Sequence, residues 1–375
     1  MRIGLVMDAS IENFRGALRG VAEFARTDKN WWLDRYDTTH SGLAQLVASP
    51  CRGFLLGTID REVLDAAAAL TLPGVSVGAP YPAPTLPTVT HDDVAIGELG
   101  AKYLLARQFQ HFAYAARAGK LNDQRLVGFE RALTESHHTC SIFDEDPGWQ
   151  RNPQKRDREL GDWLWALPKP VALFCDCDER GWLVAEHCRR LEIAIPSQVA
   201  LLGVDNDVTV CALTEPALSS IQTSSEQIGY LAAKRLAELL AERSPAPTRV
   251  EVPPLRVIER RSTDTLIATD AVVVQAQRYM REKLREEHGV DTLCKALACS
   301  RRGLERRFQL ATGMSPASMW THFRVQEAQR LLMETDLTVE LIADLCGFPD
   351  SRGLSSNFKR ALGVTPTEYR RRARP

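Results

Sequence analysis

The chain has 375 residues, 44% of them hydrophobic and 25% charged, which suits an ordinary soluble globular protein of two or three domains. A net charge of −1 excludes a uniform polycation, but residues 275–375 hold 18 Lys and Arg against 12 Asp and Glu, a basic tail on an acidic body. Nine scattered cysteines give neither a zinc pattern nor a disulfide framework, and no apolar run approaches the roughly 20 residues that cross a bilayer.

Met1-Arg2-Ile3 enters a strand pattern with no leader in front of it, so a cytoplasmic chain with reduced thiols, no cofactor, no metal and no membrane partner is expected. Through the first 260 residues short apolar runs alternate with helical patterns. The runs predict strands over 3–7, 32–36, 53–57, 75–77, 88–90, 112–115, 140–143, 171–175, 199–204 and 219–222. Helices are predicted over 14–26, 94–107, 124–135, 155–167, 180–191 and 226–242. Such alternation means parallel sheet covered by helices on both faces. Ten strands are too many for one small sheet, so two lobes are expected, with a ligand in the cleft at the carboxyl ends of the strands.

Polar residues collect at those ends. Asp8 closes the first strand, Asp92 follows Thr90-His91, Asp178 follows the strand ending at Cys175, and Asp205 follows Val204, while Arg15 and Arg125 lie near helix starts. Carboxylates and arginines around a cleft fit a sugar, whose hydroxyls both donate and accept. Phe14, Trp149 and Trp182 are candidate apolar walls. Taken singly, each carboxylate reads equally well as a helix cap or turn residue.

The last hundred residues carry an internal repeat. Leu304, Phe308, Gly313, Ser315 and Pro316 recur as Leu354, Phe358, Gly363, Thr365 and Pro366, each fifty positions later. In the second copy Thr338 is a helix cap, Val339, Ile342, Ala343 and Cys346 form one apolar face, and Gly347 stops the helix. Pro349-Asp350 turns the chain, and a second helix buries Leu354, Phe358 and Leu362. The first copy runs through Asp291 as cap, Leu293, Ala296 and Leu297, then Ser300 as a second cap. Helix, tight turn, helix is the helix-turn-helix pattern. A helix from Pro316 to about Met333 separates the copies by roughly 27 Å, near one turn of B-DNA.

The second helix of the first copy exposes Arg301, Arg302, Glu305, Arg306 and Arg307, side chains that pair with guanine and cytosine edges. The second copy exposes Ser351, Arg352, Ser355, Ser356 and Lys359, weaker readers that still reach bases or phosphate. Double-stranded DNA is the expected partner.

Cys346-Gly347-Phe348, Phe358-Lys359, Gly363-Val364-Thr365-Pro366 and Glu368-Tyr369-Arg370 resemble the AraC-type double helix-turn-helix domain. That resemblance implies base contacts from Arg302, Glu305 and Arg306, and from Ser351, Arg352, Ser355 and Ser356. Gly353 and Ser356 depart from the family pattern. Further upstream, Gly203-Val204-Asp205-Asn206-Asp207 and Arg125 before Gly128-Phe129 are similar to periplasmic-binding-protein-like sensors of the LacI/GalR type, which implies that Arg125 and Asp205 hold sugar hydroxyls. A sensor in front of an AraC-type tail resembles the xylose-operon regulators, across a junction reading Pro253-Pro254-Leu255-Arg256. This resemblance implies a homodimeric activator that answers to D-xylose, binds direct-repeat half-sites and works on RNA polymerase. A repressor, or a regulator for another pentose, shares every one of these features.

The expected fold class is therefore an α/β two-lobed sensor domain (1–262), a linker (263–274) and an all-α double helix-turn-helix domain (275–375). An enzyme is disfavoured, since no G-x-G-x-x-G, G-x-S-x-G, Walker or H-E-x-x-H pattern occurs. A glycosidase using Asp176, Asp178 and Asp205 would leave the tail unexplained, and His137, His138 and Cys140 read as a surface turn rather than metal ligands.

Overall fold

In a computed structural model the described residues are 1–27, 31–78, 86–116, 123–143, 153–241, 249–264, 270–285, 289–312 and 314–373. They divide into two compact units, Met1–Asp264 and Thr265–Pro375.

The first unit contains two six-stranded sheets. One holds β1 (Arg2–Met7), β2 (Trp32–Tyr36), β3 (Gly53–Gly57), β4 (Gly74–Val77), β5 (Thr88–His91) and β11 (Arg249–Val252) in the order β11-β5-β4-β3-β1-β2. The other holds β6 (His111–Ala115), β7 (Cys140–Phe143), β8 (Val171–Cys175), β9 (Val199–Val204), β10 (Ser219–Gln222) and β12 (Arg256–Ile258) in the order β12-β10-β9-β8-β6-β7. Each sheet starts in its interior, goes to one edge and returns, so the strand order reverses beside β1 and beside β6. Ligands of open α/β sheets bind at such reversals. All pairings are parallel except β10 with β12.

Central strands such as Phe54-Leu55-Leu56 are apolar throughout because helices cover both faces. In the first lobe Ile3, Leu5, Met7 and Leu55 face α1 (Glu12–Thr27) and α9 (Ser225–Leu240). Val6, Phe54 and Leu56 face α2 (His40–Ala48) and α3 (Arg61–Ala68). In the second lobe α6 (Pro153–Ala166) and α7 (Asp178–Arg190) cover Ala113, Leu173 and Leu201. Tyr114 and Phe174 meet Phe129 of α5 (Gln124–Glu135) on the opposite face. There α5 crosses α4 (Asp93–Leu105) so closely that a Cβ on Gly97 or Gly128 would strike the other helix's backbone.

Ten of these strands fall where the sequence predicts them, and β11 and β12 are additional. Both are short, charged and wrapped around Pro253-Pro254, which hides a strand pattern. They are edge strands and complete one sheet each.

The second unit is all helical: α10 (Ala271–Glu282), α11 (Val290–Ala296), α12 (Arg301–Thr312), α13 (Pro316–Glu334), α14 (Val339–Leu345), α15 (Ser351–Leu362) and α16 (Pro366–Ala373). It has two small cores. Leu293, Leu304 and Phe308 pack with Trp320 and Phe323, and Ile342, Leu354 and Phe358 pack with Val325, Ala328 and Leu332. Helix α13 supplies the first group from its N-terminal half and the second from its C-terminal half.

Candidate ligand cleft and DNA interface

Strand ends and helix starts bring charged side chains together between the lobes of the first unit. From the first lobe, Asn13 Nδ2 donates to Asp205 Oδ1 at 2.8 Å, and Arg15 Nη2 donates to Asp207 Oδ2 at 2.6 Å. Thr223 and Ser225 hydroxyls orient Asn13 by donating to its Oδ1 at 2.9 and 2.8 Å. In the second lobe Arg125 donates from Nε to Asp93 at 2.6 Å and from Nη1 to the Asp176 carbonyl, and lies 3.9 Å from Asp205. Burial pulls the Arg125 guanidinium pKa down, but Asp93 and Asp205 outweigh it and hold the cation. Asp205 (φ 105°) and Asn206 (φ 53°) adopt backbone conformations unusual for non-glycine residues, a form of strain that gathers at ligand sites.

The remaining sequence candidates are dispersed. Asp8 accepts from Ser10 N and Oγ at 2.9 and 2.6 Å, and lines a cavity of about 430 Å³ with Arg35, Tyr36, Asp37 and Thr38 at the ends of β1 and β2. Asp92 caps α4 by accepting from Ala95 N at 2.9 Å. Phe14 is 2% exposed and packs toward Gly57 and Gly78, so it is core rather than an open wall. Trp182 is 46% exposed on α7, and Trp149 lies outside the described residues.

Asp178 is fully buried. It accepts from Ser220 Oγ at 2.6 Å and from Asp207 N at 2.7 Å, with Cys211 Sγ at 3.5 Å. Burial, with the Asp205 charge added, pushes its carboxyl well above the ordinary carboxylate range. Its geometry is that of an anchor for the 205–207 loop, and Gly203 is glycine because a Cβ there would strike Asp178. Asn13, Asp93 and Asp207 were not among the sequence candidates. Asn13 precedes Phe14-Arg15 with no pattern of its own, and its importance comes from a partner 192 positions away.

In the second unit α11–α12 and α14–α15 are the two helix-turn-helix pairs. Ser300 Oγ accepts from Gly303 N at 3.2 Å, Thr338 Oγ1 from Leu341 N at 3.2 Å, and Asp350 Oδ1 from Gly353 N at 2.7 Å, so three side chains cap helices here. Gly363 (φ 75°) ends α15 in the left-handed conformation. Three expected roles change. Gly289, not Asp291, occupies the N-cap of α11, since the helix starts at Val290 and Asp291 lies inside its first turn, where its carboxylate accepts from Arg301 at 3.1 Å. Leu362 is 37% exposed rather than buried, and Ala296 is exposed while Cys294 takes the inner position.

Arg301, Arg302, Glu305, Arg306 and Arg307 all reach solvent from α12. They are not equivalent. Arg301 is tied to Asp291 and Glu305, and Arg307 donates to Asp270 at 2.7 Å. Arg302 and Arg306 have no ion pair among the described residues. On α15, Arg352, Ser356 and Lys359 are exposed, and Ser351 and Ser355 are half-buried.

Residues 101–263 match the family described as a periplasmic binding protein-like domain, and residues 293–372 match a helix-turn-helix domain. The chain is 29% identical to the xylose operon regulatory protein of Escherichia coli K12, over 98% of this chain and 96% of that protein. It is 24% identical to the protein of the same name from Haemophilus influenzae, over 98% of each. The solved structure of a xylose-binding transcription activator, xylR, aligns over 99% of this chain and 97% of its own with a TM-score of 0.72 at 28% identity. These relatives are regulators rather than enzymes. No helix among the described residues is long and apolar enough to cross a membrane. Two α/β lobes, a polar junction between them and a duplicated DNA-reading motif together make this chain an AraC-type transcriptional regulator with a periplasmic-binding-protein-like sensor domain.

Proposed function

We propose that the chain is a cytoplasmic, homodimeric activator that binds D-xylose between the lobes of its sensor (1–262) and passes that event through a linker (263–274) to its DNA-binding domain (275–375). The observation that carries the sugar reading is the meeting of Asn13 and Arg125, at the starts of α1 and α5, with Asp205, at the end of β9, so that both lobes contribute. An amide, a guanidinium and a carboxylate within reach of one another can satisfy neighbouring hydroxyls, which donate and accept at once. Asp92 and Arg15 stand at the same strand and helix ends and are proposed as further contacts, and Asp8 as a contact from the β1 side. Asp178 is left out, because its partners are internal and it sees no solvent. D-xylose is favoured over other pentoses by the names of the relatives aligned over nearly the full chain.

Sugar that bridges the lobes stabilises one arrangement of them, and DNA that prefers the same arrangement binds more tightly. Base reading is assigned to Arg302 and Arg306, which are exposed and uncommitted, with Glu305 and Arg301 adjusting as their mutual pair opens. Ser351, Arg352, Ser355, Ser356 and Lys359 supply weaker base and phosphate contacts. An activator of this kind engages RNA polymerase beside its half-sites. Calorimetry of the full-length chain against D-xylose, L-arabinose and D-ribose tests the sensor half. Heat of binding from D-xylose, lost in Asp205→Ala and Arg125→Ala, is the expected result; no heat from any pentose refutes it.

A further inference from the structure

The chain leaves the sensor unit through β12, Glu259, Arg260, the 3₁₀ turn Arg261–Thr263 and Asp264. Most of this exit segment is fastened to the body of the second lobe. Ser262 Oγ donates to the Leu201 carbonyl at 2.5 Å and accepts from Ser219 N at 2.8 Å. Thr263 Oγ1 hydrogen-bonds the Ser219 hydroxyl at 2.6 Å and the Tyr103 hydroxyl at 2.7 Å. Arg107 pairs with Glu259 at 2.7 Å. These bonds fix the segment to β9, β10 and α4, elements that belong to the lobe's frame.

The Arg260 backbone is fastened in the same way, its N–H donating to Ser219 Oγ at 2.8 Å and its carbonyl accepting from that hydroxyl at 2.9 Å, but its side chain also reaches the 205–207 loop. The residue is 9% exposed, and its guanidinium donates from Nη1 to the Leu218 carbonyl at 2.9 Å and from Nη2 to Asn206 Oδ1 at 2.7 Å. Asn206 directly follows Asp205 and shares its unusual backbone, at φ 53° after φ 105°. The Asn206 N–H donates to Ser220 Oγ at 2.9 Å, and Ser220 in turn donates to Asp178. The loop therefore has its anchored side at Asp178, its cleft side at Asp205, and one side chain, Asn206, turned to the exit segment.

We infer that the hydrogen bond between Asn206 and Arg260 is the coupling element that carries sugar occupancy at Asp205 to the segment leading into the DNA-binding unit. This rests on the sensor reading above. A sugar hydroxyl that binds Asp205 competes with Asn13 for its carboxylate, so the Asp205 torsions adjust. Asn206 shares the next peptide plane, and two successive left-handed residues leave few ways to absorb the change locally. The buried guanidinium of Arg260 follows its acceptor, because an arginine fork that loses a buried partner is left unsatisfied. Asn206 and Arg260 are positioning residues and do not touch the sugar themselves.

The test uses the full-length chain and a duplex that the chain itself selects from a random pool, with D-xylose as probe. The quantity read is the ratio of duplex affinities with and without saturating sugar. For wild type a ratio of about 5 or more is expected, the lower end of common allosteric couplings. Asn206→Ala is expected to bring the ratio to within about twofold of one while D-xylose affinity by calorimetry stays within about threefold of wild type. Asn206→Asp, which offers Arg260 a carboxylate, should restore the ratio. Arg260→Gln, which keeps a donor for the Leu218 carbonyl, should repeat the loss, and thermal unfolding of each variant shows whether it is folded. A wild-type ratio kept by folded Asn206→Ala or Arg260→Gln overturns the inference alone. A wild-type ratio of one overturns the sensor reading and the inference with it.

Discussion

Single residues here divide by what already holds them. Asp178 and Asp205 look alike in the sequence, each an aspartate just past a strand, yet Asp178 is an internal anchor with a raised carboxyl pKa. The sign of its pH effect follows. Its folded-state pKa lies above the unfolded value, so the stability it contributes is complete below about pH 4 and is lost as pH rises through the folded value. Unfolding midpoints followed from pH 5 to 8 should therefore fall less steeply in Asp178→Asn than in wild type. Parallel curves would mean that the carboxyl is ionised in the fold. The same sorting applies on α12. Arg301 and Arg306 are one class by composition, but only the structure shows Arg301 tied to Asp291 and Glu305. Arg306→Ala should cost about 1–3 kcal/mol on the selected duplex and relax one base position, whereas Lys359→Ala should weaken all sequences evenly. Equal, sequence-blind losses in binding assays on both duplex types would remove Arg306 as a base reader.

Elements were legible wherever periodicity or caps marked them. The fifty-residue repeat fixed both helix-turn-helix pairs, since Thr338, Ser300 and Gly363 each do locally what their residue type favours. Strands β1 to β10 were legible from apolar runs, because both faces of each sheet are covered. β11 and β12 were not, since an edge strand beside two prolines needs no apolar run and takes its register from the neighbour. Nor were Asn13 and Asp207, whose bonds join residues 192 positions apart. Close helix crossings are another feature that sequence only hints at. Gly128 of the Gly128-Phe129 pair lies where an added Cβ would meet the Val94 carbonyl of α4, so the glycine holds Arg125 at its post by letting two helices approach. Gly128→Ala should destabilise the chain by about 1–3 kcal/mol in urea unfolding, the usual cost of overpacking. D-xylose binding should weaken as well, because Arg125 lies on the same helix. A fully stable variant with intact sugar binding would show that the crossing can widen freely.

For the molecule as a whole, the uneven charge says how its two jobs are divided. The tail's excess of Lys and Arg favours a polyanion, while the acidic remainder discourages the sensor from lying on DNA. Affinity for duplex should then fall with salt through the tail alone, and sugar affinity should be almost indifferent to salt. That separation makes the coupling measurable, because the two ligands do not share a surface charge effect. Coupling between binding events is a free energy that belongs to both, so sugar and DNA must favour one another by the same factor. If D-xylose at both sites of a dimer tightens the selected duplex by a factor between about 5 and 150, saturating duplex must tighten the two sugar sites by that same factor taken together, which is its square root at each of two equal sites. Calorimetric titrations of sugar with and without duplex, at one salt concentration, measure it directly. Unequal factors would mean that a third equilibrium, such as the assembly of two chains on DNA, takes up part of the free energy, and the dilution dependence of the sugar titration would then reveal it.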